Sequence, residues 1–257
     1  MSGNGTLPYL SHSRVAKYLH CAEQYRLYYV EGLRPRRPNA SLVYGQAIHG
    51  ALSALFRNGE DPIEVFLHAW EEVEEQDLDY GRDSWAKLKE TGRLHLTLFV
   101  NRELPKFTNV RASEKDFSLA VSTLGLPFVG VIDLVADLDK KQTVIDFKTA
   151  ASAYPAYEAA MNDQLTAYQL AEPEAEQSAL CVFVKVKEPR IDWLVGERRP
   201  AQVLEYLEKV DHVAREISAG RFYKRPGRWC SYCDFLPVCL GDQAKAEETL
   251  ARVAPRP

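Results

Sequence analysis

The chain has 257 residues, 46% of them hydrophobic and 26% charged, with a formal net charge of −4 at pH 7. These values suit a soluble globular protein with a sizeable core, and the acidic balance means that any nucleic-acid contact must rest on local basic patches. No apolar run reaches the length of a membrane span, and the first ten residues, MSGNGTLPYL, lack the basic and apolar regions of a signal peptide. The expected location is therefore the cytoplasm, with no membrane partner.

The chain opens on helices. Ser11 or Ser13 is a candidate N-cap for a helix running through RVAKYLHCAEQYRLYYVE to Gly32, with Val15, Tyr18, Leu19, Ala22, Tyr25 and Tyr29 at helical spacing. A loop bearing Arg34, Arg36 and Arg37 follows. The second helix takes in YGQAIHGALSALFRNG and stops at Gly59; the third starts after Asp61-Pro62. A fourth covers GRLHLTLFVNREL to Pro105. Beyond it the texture becomes β-rich, in KDFSLAVSTL, LPFVGVIDLVADL, TVIDFKTA and ALCVFVKVK, with RIDWLVGE as a further edge strand. A helix around NDQLTAYQLAE lies between the third and fourth strands, and a long one, Pro200 to Ala219, leads to the C-terminal cysteines. Helices, then a mixed sheet with an inserted helix, then a helical tail predict a single α/β domain over residues 1–257. Its parts are a helical region (10–105), an α/β core (106–199) and a C-terminal helix with cysteines (200–240). No phosphate-binding loop of the G-x4-G-K-[ST] kind occurs, so the chain shows no motor of its own.

The strand VIDFKTA carries Asp146 and Lys148 on one face of an otherwise apolar segment. The preceding ADLDKKQT is turn-like. A hairpin centred between Asp139 and Lys140 sets Asp133 opposite Asp146, provided no bulge breaks the register. Two adjacent carboxylates repel unless a cation lies between them, and Mg²⁺ bound by oxygen ligands suits that need. A lysine beside it can orient or deprotonate an attacking water and offset charge on phosphorus. The alternative for the trio is a structural ion pair. Gln164 and Tyr168, spaced i, i+4, share a helix face that can look onto the hairpin. His49, alone on an apolar helix, reads by itself as a hydrogen-bonded core residue, and Glu114 as a further carboxylate or a solvated one.

Of five cysteines, Cys230, Cys233 and Cys239 form a C-x2-C-x5-C cluster, Cys21 stands alone near the other end, and Cys181 reads as a core residue. Four thiolates can hold an iron–sulfur cluster or a structural Zn²⁺, and spacing favours zinc only weakly. Arg221, Lys224, Arg225 and Arg228 make a second basic segment just before them.

The order GQAIH (G-x3-H), GVID (G-x2-D), DFK (D-x-K) and QLTAY (Q-x3-Y), from Gly45 to Tyr168, resembles the RecB-like branch of the PD-(D/E)XK nucleases. With Cys21 and the terminal cysteines it resembles the iron–sulfur subset: CRISPR-associated RecB-like exonucleases, the AddB nuclease domain and exonuclease V. The resemblance spans Leu10 to Cys239. It implies a restriction-endonuclease-like fold, a mixed central sheet flanked by helices with N-terminal helices and a C-terminal cysteine tail. It also implies His49, Asp133 and Asp146 as Mg²⁺ or Mn²⁺ ligands, Lys148 as catalytic lysine, Gln164 and Tyr168 beside it, and Glu114 as an accessory acid. Cys21, Cys230, Cys233 and Cys239 would hold a 4Fe-4S cluster, with structural Zn²⁺ the alternative. The implied substrate is single-stranded DNA or DNA ends, and the implied partners are CRISPR integration proteins or a helicase. The second reading is a DNA-end-binding or scaffold subunit with a vestigial site. Two departures stand out: Ala22 where many relatives have proline after the first cysteine, and Asp146 where many have glutamate.

Overall fold

The computed structural model describes residues 7–254; residues 1–6 of the stretch read above for a signal peptide lie outside them. Helix α1 (His12–His20) begins where the Ser11 hydroxyl accepts the Arg14 amide at 3.3 Å. It does not run on to Gly32. Cys21 is extended (φ −161°, ψ 114°) and separates α1 from α2 (Ala22–Tyr25), which passes into a π-helical turn over Arg26–Val30. After β1 (Leu33–Pro35) comes α3 (Ala40–Asn58), closed by Gly59 at φ 70°. Asp61 then caps the Ile63 amide of α4 (Pro62–Glu71) at 2.8 Å. Helix α5 (Trp85–Leu98) starts earlier than expected because Ser84 caps the Lys87 amide, and it unwinds through π and 3₁₀ turns to Lys106.

Strands β2 (Phe107–Ala120), β3 (Pro127–Leu138) and β4 (Lys141–Ala150) follow, then α6 (Glu158–Met161), α7 (Asp163–Ala171), β5 (Gln177–Val184) and β6 (Arg190–Gly196). The chain closes with α8 (Pro200–Ser218), a 3₁₀ turn over Arg228–Tyr232, α9 (Leu236–Leu240), α10 (Gln243–Thr249) and β7 (Leu250–Arg252). The described residues form two compact units interleaved along the chain. One comprises Pro38–Phe117 with Val131–Val203; the other comprises the residues up to Arg37, Ser118–Gly130 and those from Leu204 on.

The five-stranded sheet has the order β2-β3-β4-β5-β6. Asp139 (φ 51°) and Lys140 (φ 71°) form a two-residue turn in the left-handed region, whose twist matches that of the flanking strands. The antiparallel register from Leu138↔Lys141 to Leu134↔Ile145 places the turn centre where the sequence predicts it. Strand β4 runs parallel to β5, which requires a crossover, supplied by α6 and α7. The antiparallel β6 closes the other edge.

Period-two alternation sorts the central strands onto two cores. Ile145, Phe147, Ala179, Cys181 and Phe183 pack with Tyr44, Ile48, Phe66, Trp70 and Phe99 of the α3–α5 side. Val144, Leu180, Val182 and Val184 pack with Leu165 and Tyr168 of α7. Cys181 is wholly buried, and burial pushes its thiol pKa well up, as befits a core residue. Helices α4 and α5 meet so closely that a Cβ on Gly92 would lie 2.1 Å from the Phe66 ring.

In the other unit, Leu10 exchanges backbone hydrogen bonds with Pro127 and Val129, and β1 pairs antiparallel with β7. The Tyr18 hydroxyl donates to the Arg221 carbonyl at 2.6 Å, the Glu23 amide to Tyr223, and the Arg225 guanidinium to the Leu19 carbonyl at 2.7 Å. The N-terminal helices and the C-terminal tail are thereby tied around Cys21.

Gly92→Ala is expected to destabilise the fold by about 1–3 kcal/mol, because the Phe66 ring is boxed in by Tyr44 and Trp70 and has little room to yield. Chemical denaturation of wild type and variant measures this; an unchanged midpoint would contradict the packing described.

Candidate active site

The approach of α3 to β4 begins at Gly45, where a Cβ would lie 3.2 Å from the Thr149 hydroxyl. One turn later on the same face comes His49, with its ring against Phe147 and Nδ1 3.4 Å from Asp133 Oδ2. The spacing G-x3-H thus has a geometric meaning: the glycine admits the strand, and the histidine reaches over it.

Asp133 sits where strand alternation slips. Leu134, Ala136 and Leu138 face the α3–α5 core, yet Ile132 joins Val135 in the α7-side core. Strict alternation would put Ile132 with Leu134, so one residue of β3 is out of phase at the acid. The Phe147 amide donates to Asp133 Oδ2 at 2.8 Å. The expected pairing of Asp133 and Asp146 on one face is therefore modified: the carboxylates are neighbours, reached across a bulge.

Strand β2 repeats the device. Ala112 and Phe117, five residues apart, both pack on the α7-side core, which requires a one-residue slip between them. Glu114 lies in that slip at φ 51°, a strained conformation for a non-glycine residue. Ligand atoms of His49, Glu114 and Asp133 all lie within 4.8 Å of one another, the one such set of histidine, cysteine and acidic side chains among the described residues. The fold thus brings Glu114 to His49 and Asp133. Sequence reading left its place open because the slip in β2 depends on the neighbouring helix and strand.

On the other side, Asp146, Lys148, Gln164 and Tyr168 close a ring. Lys148 Nζ lies 2.7 Å from Asp146 Oδ2 and donates to Gln164 Oε1 at 2.9 Å. Gln164 Nε2 donates to the Tyr168 hydroxyl at 2.8 Å, which donates to Asp146 Oδ1 at 3.3 Å. A glutamine fits because its amide accepts from the ammonium and donates to the phenol at once. Asp146 is 1% exposed. Its Oδ2 takes the Lys148 ammonium and no other polar partner, which leaves a buried carboxylate oxygen with coordination to spare.

The electrostatics follow from crowding. Burial, then the Asp146 charge, push the Asp133 carboxyl up to about 8. Burial would strip Lys148 of its proton, but the charge and hydrogen bond of Asp146, with Asp133 behind, hold its pKa above the usual lysine value. Lys148 is therefore an ammonium at neutral pH. Burial lowers His49, leaving a neutral imidazole able to ligate a cation. Burial also raises Glu114, against the pull of Arg57. His95 behaves as an ordinary core histidine, wholly buried between the Tyr44 hydroxyl at 2.9 Å and the Val184 carbonyl at 3.1 Å.

Cys21, Cys230, Cys233 and Cys239 all line one cavity of about 310 Å³, together with Trp229 and Leu27. The Gln24 amide reaches Cys233 Sγ at 3.7 Å. Burial raises the Cys233 and Cys239 thiols. The basic segment beside them is mostly occupied. Lys224 binds the Cys239 carbonyl, Arg225 the Leu19 carbonyl and Arg221 the Glu216 carboxylate; Arg228 has no such partner among the described residues. Arg34 and Arg36 likewise hold backbone carbonyls of Leu33 and Glu247.

A family model described as the PD-(D/E)XK nuclease superfamily matches residues 9–240. The chain belongs to the PD-(D/E)XK nuclease superfamily. Its α/β fold, with a mixed five-stranded sheet flanked by helices, is the restriction-endonuclease-like fold of these hydrolytic nucleases, which generally use Mg²⁺ or Mn²⁺. Among solved structures, that of a protein described as a putative exonuclease from Eubacterium rectale is covered to 95% and covers 100% of this chain, at TM-score 0.57 and 13% identity. The structure of SSO0001 covers 77% of this chain and 84% of its own, at TM-score 0.39 and 15% identity. No curated protein matches the chain in sequence. Among the described residues of this nuclease, no helix is long and apolar enough to cross a membrane.

The raised Asp133 pKa sets a pH dependence for the metal-free protein. Between about pH 4 and 8 the folded state retains a proton that the unfolded chain has lost, so this group's contribution to stability falls as pH rises through that window. Asp133→Asn keeps an acceptor for the Phe147 amide and removes the penalty. In EDTA the variant should melt higher than wild type at pH 8, with the gap closing towards pH 4; a variant less stable at pH 8 would contradict this.

Proposed function

We propose that this chain is a metal-dependent deoxyribonuclease acting on single-stranded DNA or DNA ends. Its reaction is hydrolysis of a phosphodiester by an activated water. The observation that carries the proposal is the Lys148–Gln164–Tyr168–Asp146 ring set beside His49, Glu114 and Asp133. The donor set fits a hard divalent cation: carboxylate oxygens, a neutral imidazole, and an Asp146 oxygen buried without a full complement of partners. When bound, Mg²⁺ or Mn²⁺ supplies polarisation of a phosphoryl oxygen and a water acidic enough to attack near neutral pH.

The residues divide the remaining work. His49, Glu114, Asp133 and Asp146 hold one or two cations. Lys148, as an ammonium, orients the attacking water and offsets charge that develops on the phosphoryl oxygens. Gln164 and Tyr168 fix the ammonium and the Asp146 carboxylate in one geometry. Action on DNA ends is supported by the motif resemblance and by the exonuclease description of the Eubacterium rectale protein.

Cys21, Cys230, Cys233 and Cys239 are proposed to hold a 4Fe-4S cluster. All four line one cavity, which brings the two ends of the chain's cysteine set together. The motif resemblance favours a cluster there over a single Zn²⁺.

Two experiments test these readings. With labelled single-stranded DNA and Mn²⁺, the wild type should cleave, and Lys148→Ala or Asp146→Ala should cleave about 10²–10³-fold more slowly. Equal inactivity in all three would favour a scaffold subunit, and equal cleavage in all three would contradict the roles given to Lys148 and Asp146. An anaerobic preparation should be brown, with absorbance near ~400 nm that is lost in Cys21→Ala. A colourless protein with stoichiometric zinc would overturn the cluster.

A further inference from the structure

The left-handed backbone at Glu114 is the least favourable conformation in the candidate active site. Aspartate and asparagine adopt it by bonding their own backbone, but glutamate has a longer side chain and gains little that way. Such strain persists where the surroundings over-determine it. Within β2, Ser113 Oγ is buried without a hydrogen-bond partner, and the next side chain, Lys115, pairs with Glu172 and not with the slip's own backbone. The two carbonyls of the slip are bonded by Arg57, from the last turn of α3. Its Nε donates to the Ser113 carbonyl at 3.1 Å and its Nη2 to the Glu114 carbonyl at 3.2 Å.

A guanidinium is suited to this task. Its planar fork bonds two successive carbonyls at once, which fixes both their separation and the orientation of the peptide plane between them. A basic side chain in the last helical turn ordinarily bonds the helix's own free carbonyls. Here Gly59 closes the helix by returning its amide to Leu55, and Arg57 reaches to the strand.

We propose that Arg57 is a positioning residue for the cation site: by clamping the Ser113–Glu114 peptide it aims the Glu114 carboxylate at His49 and Asp133. The proposal rests on the reading of these three residues as cation ligands. It gives α3 two linked duties, since His49 and Arg57 lie two turns apart on one helix and so keep a fixed separation. The helix supplies one ligand directly and sets the other through the strand it clamps.

Mn²⁺ binding to the full-length protein without DNA, followed by the electron paramagnetic resonance signal of free Mn²⁺, tests this. Arg57→Ala should weaken Mn²⁺ binding about 10–100-fold, as is usual for loss of a group that orients a metal ligand. Glu114→Gln should weaken it as well, and the double variant should bind no more weakly than Glu114→Gln alone. Arg57→Lys, which keeps the charge without the fork, should bind more weakly than wild type. It carries the same cycle if the alanine variant does not fold. Wild-type affinity in the Arg57 variants, or additive losses in the double variant, would overturn the positioning role. A wild type that binds no Mn²⁺ at all would instead overturn the cation site on which the role depends.

Discussion

Two carboxylates, Asp133 and Asp146, share a buried opening in the sheet, and both cannot stay charged there without a positive partner. The rest of the site answers that constraint. Lys148 neutralises one side, in an ion pair whose geometry Gln164 and Tyr168 fix. On the other side stand a neutral histidine and a third acid, and no lysine or arginine side chain pairs with any carboxylate there among the described residues. In the metal-free protein the Asp133 proton balances the charge, with a pKa moved to about 8. A divalent cation would replace that proton, so affinity for metal and loss of the proton would be linked.

The sheet provides this opening by breaking its own period. Strands β4 and β5 alternate without fault and bury two cores, which gives the site a rigid floor. Strands β2 and β3 each slip by one residue, and each slip carries an acid. Bulges of this kind re-aim side chains beside active sites at the cost of local strain. Here the Phe147 amide bonds the Asp133 carboxylate, and Arg57 bonds the Ser113 and Glu114 carbonyls.

The hairpin turn and its register as far as Leu134↔Ile145, an N-cap at Ser11 or Ser13, the stop at Gly59 and the edge position of β6 were legible in the sequence, because each depends on local chemistry or on strict alternation. So were Asp146, Lys148, Gln164 and Tyr168 as a group, since strand and helix periods fix which of them share a face. The break at Cys21 was hidden: its helical spacing continues through to Tyr29, and only the surrounding tertiary structure extends the backbone there. Glu114 was undecided for the same reason. The arginines were visible as charges, but the carbonyls distant in sequence that Arg36 and Arg225 hold were not. Residue types in a local pattern can be read from sequence; slips and long-range clamps need the packed chain.

The most direct measurement is the anomalous scattering of Mn²⁺ in crystals of the wild-type protein grown with that ion. The proposed site requires a peak bounded by His49, Glu114, Asp133 and Asp146, with Lys148 adjacent and not coordinating. A peak elsewhere, or one that leaves these carboxylates unligated, would contradict it.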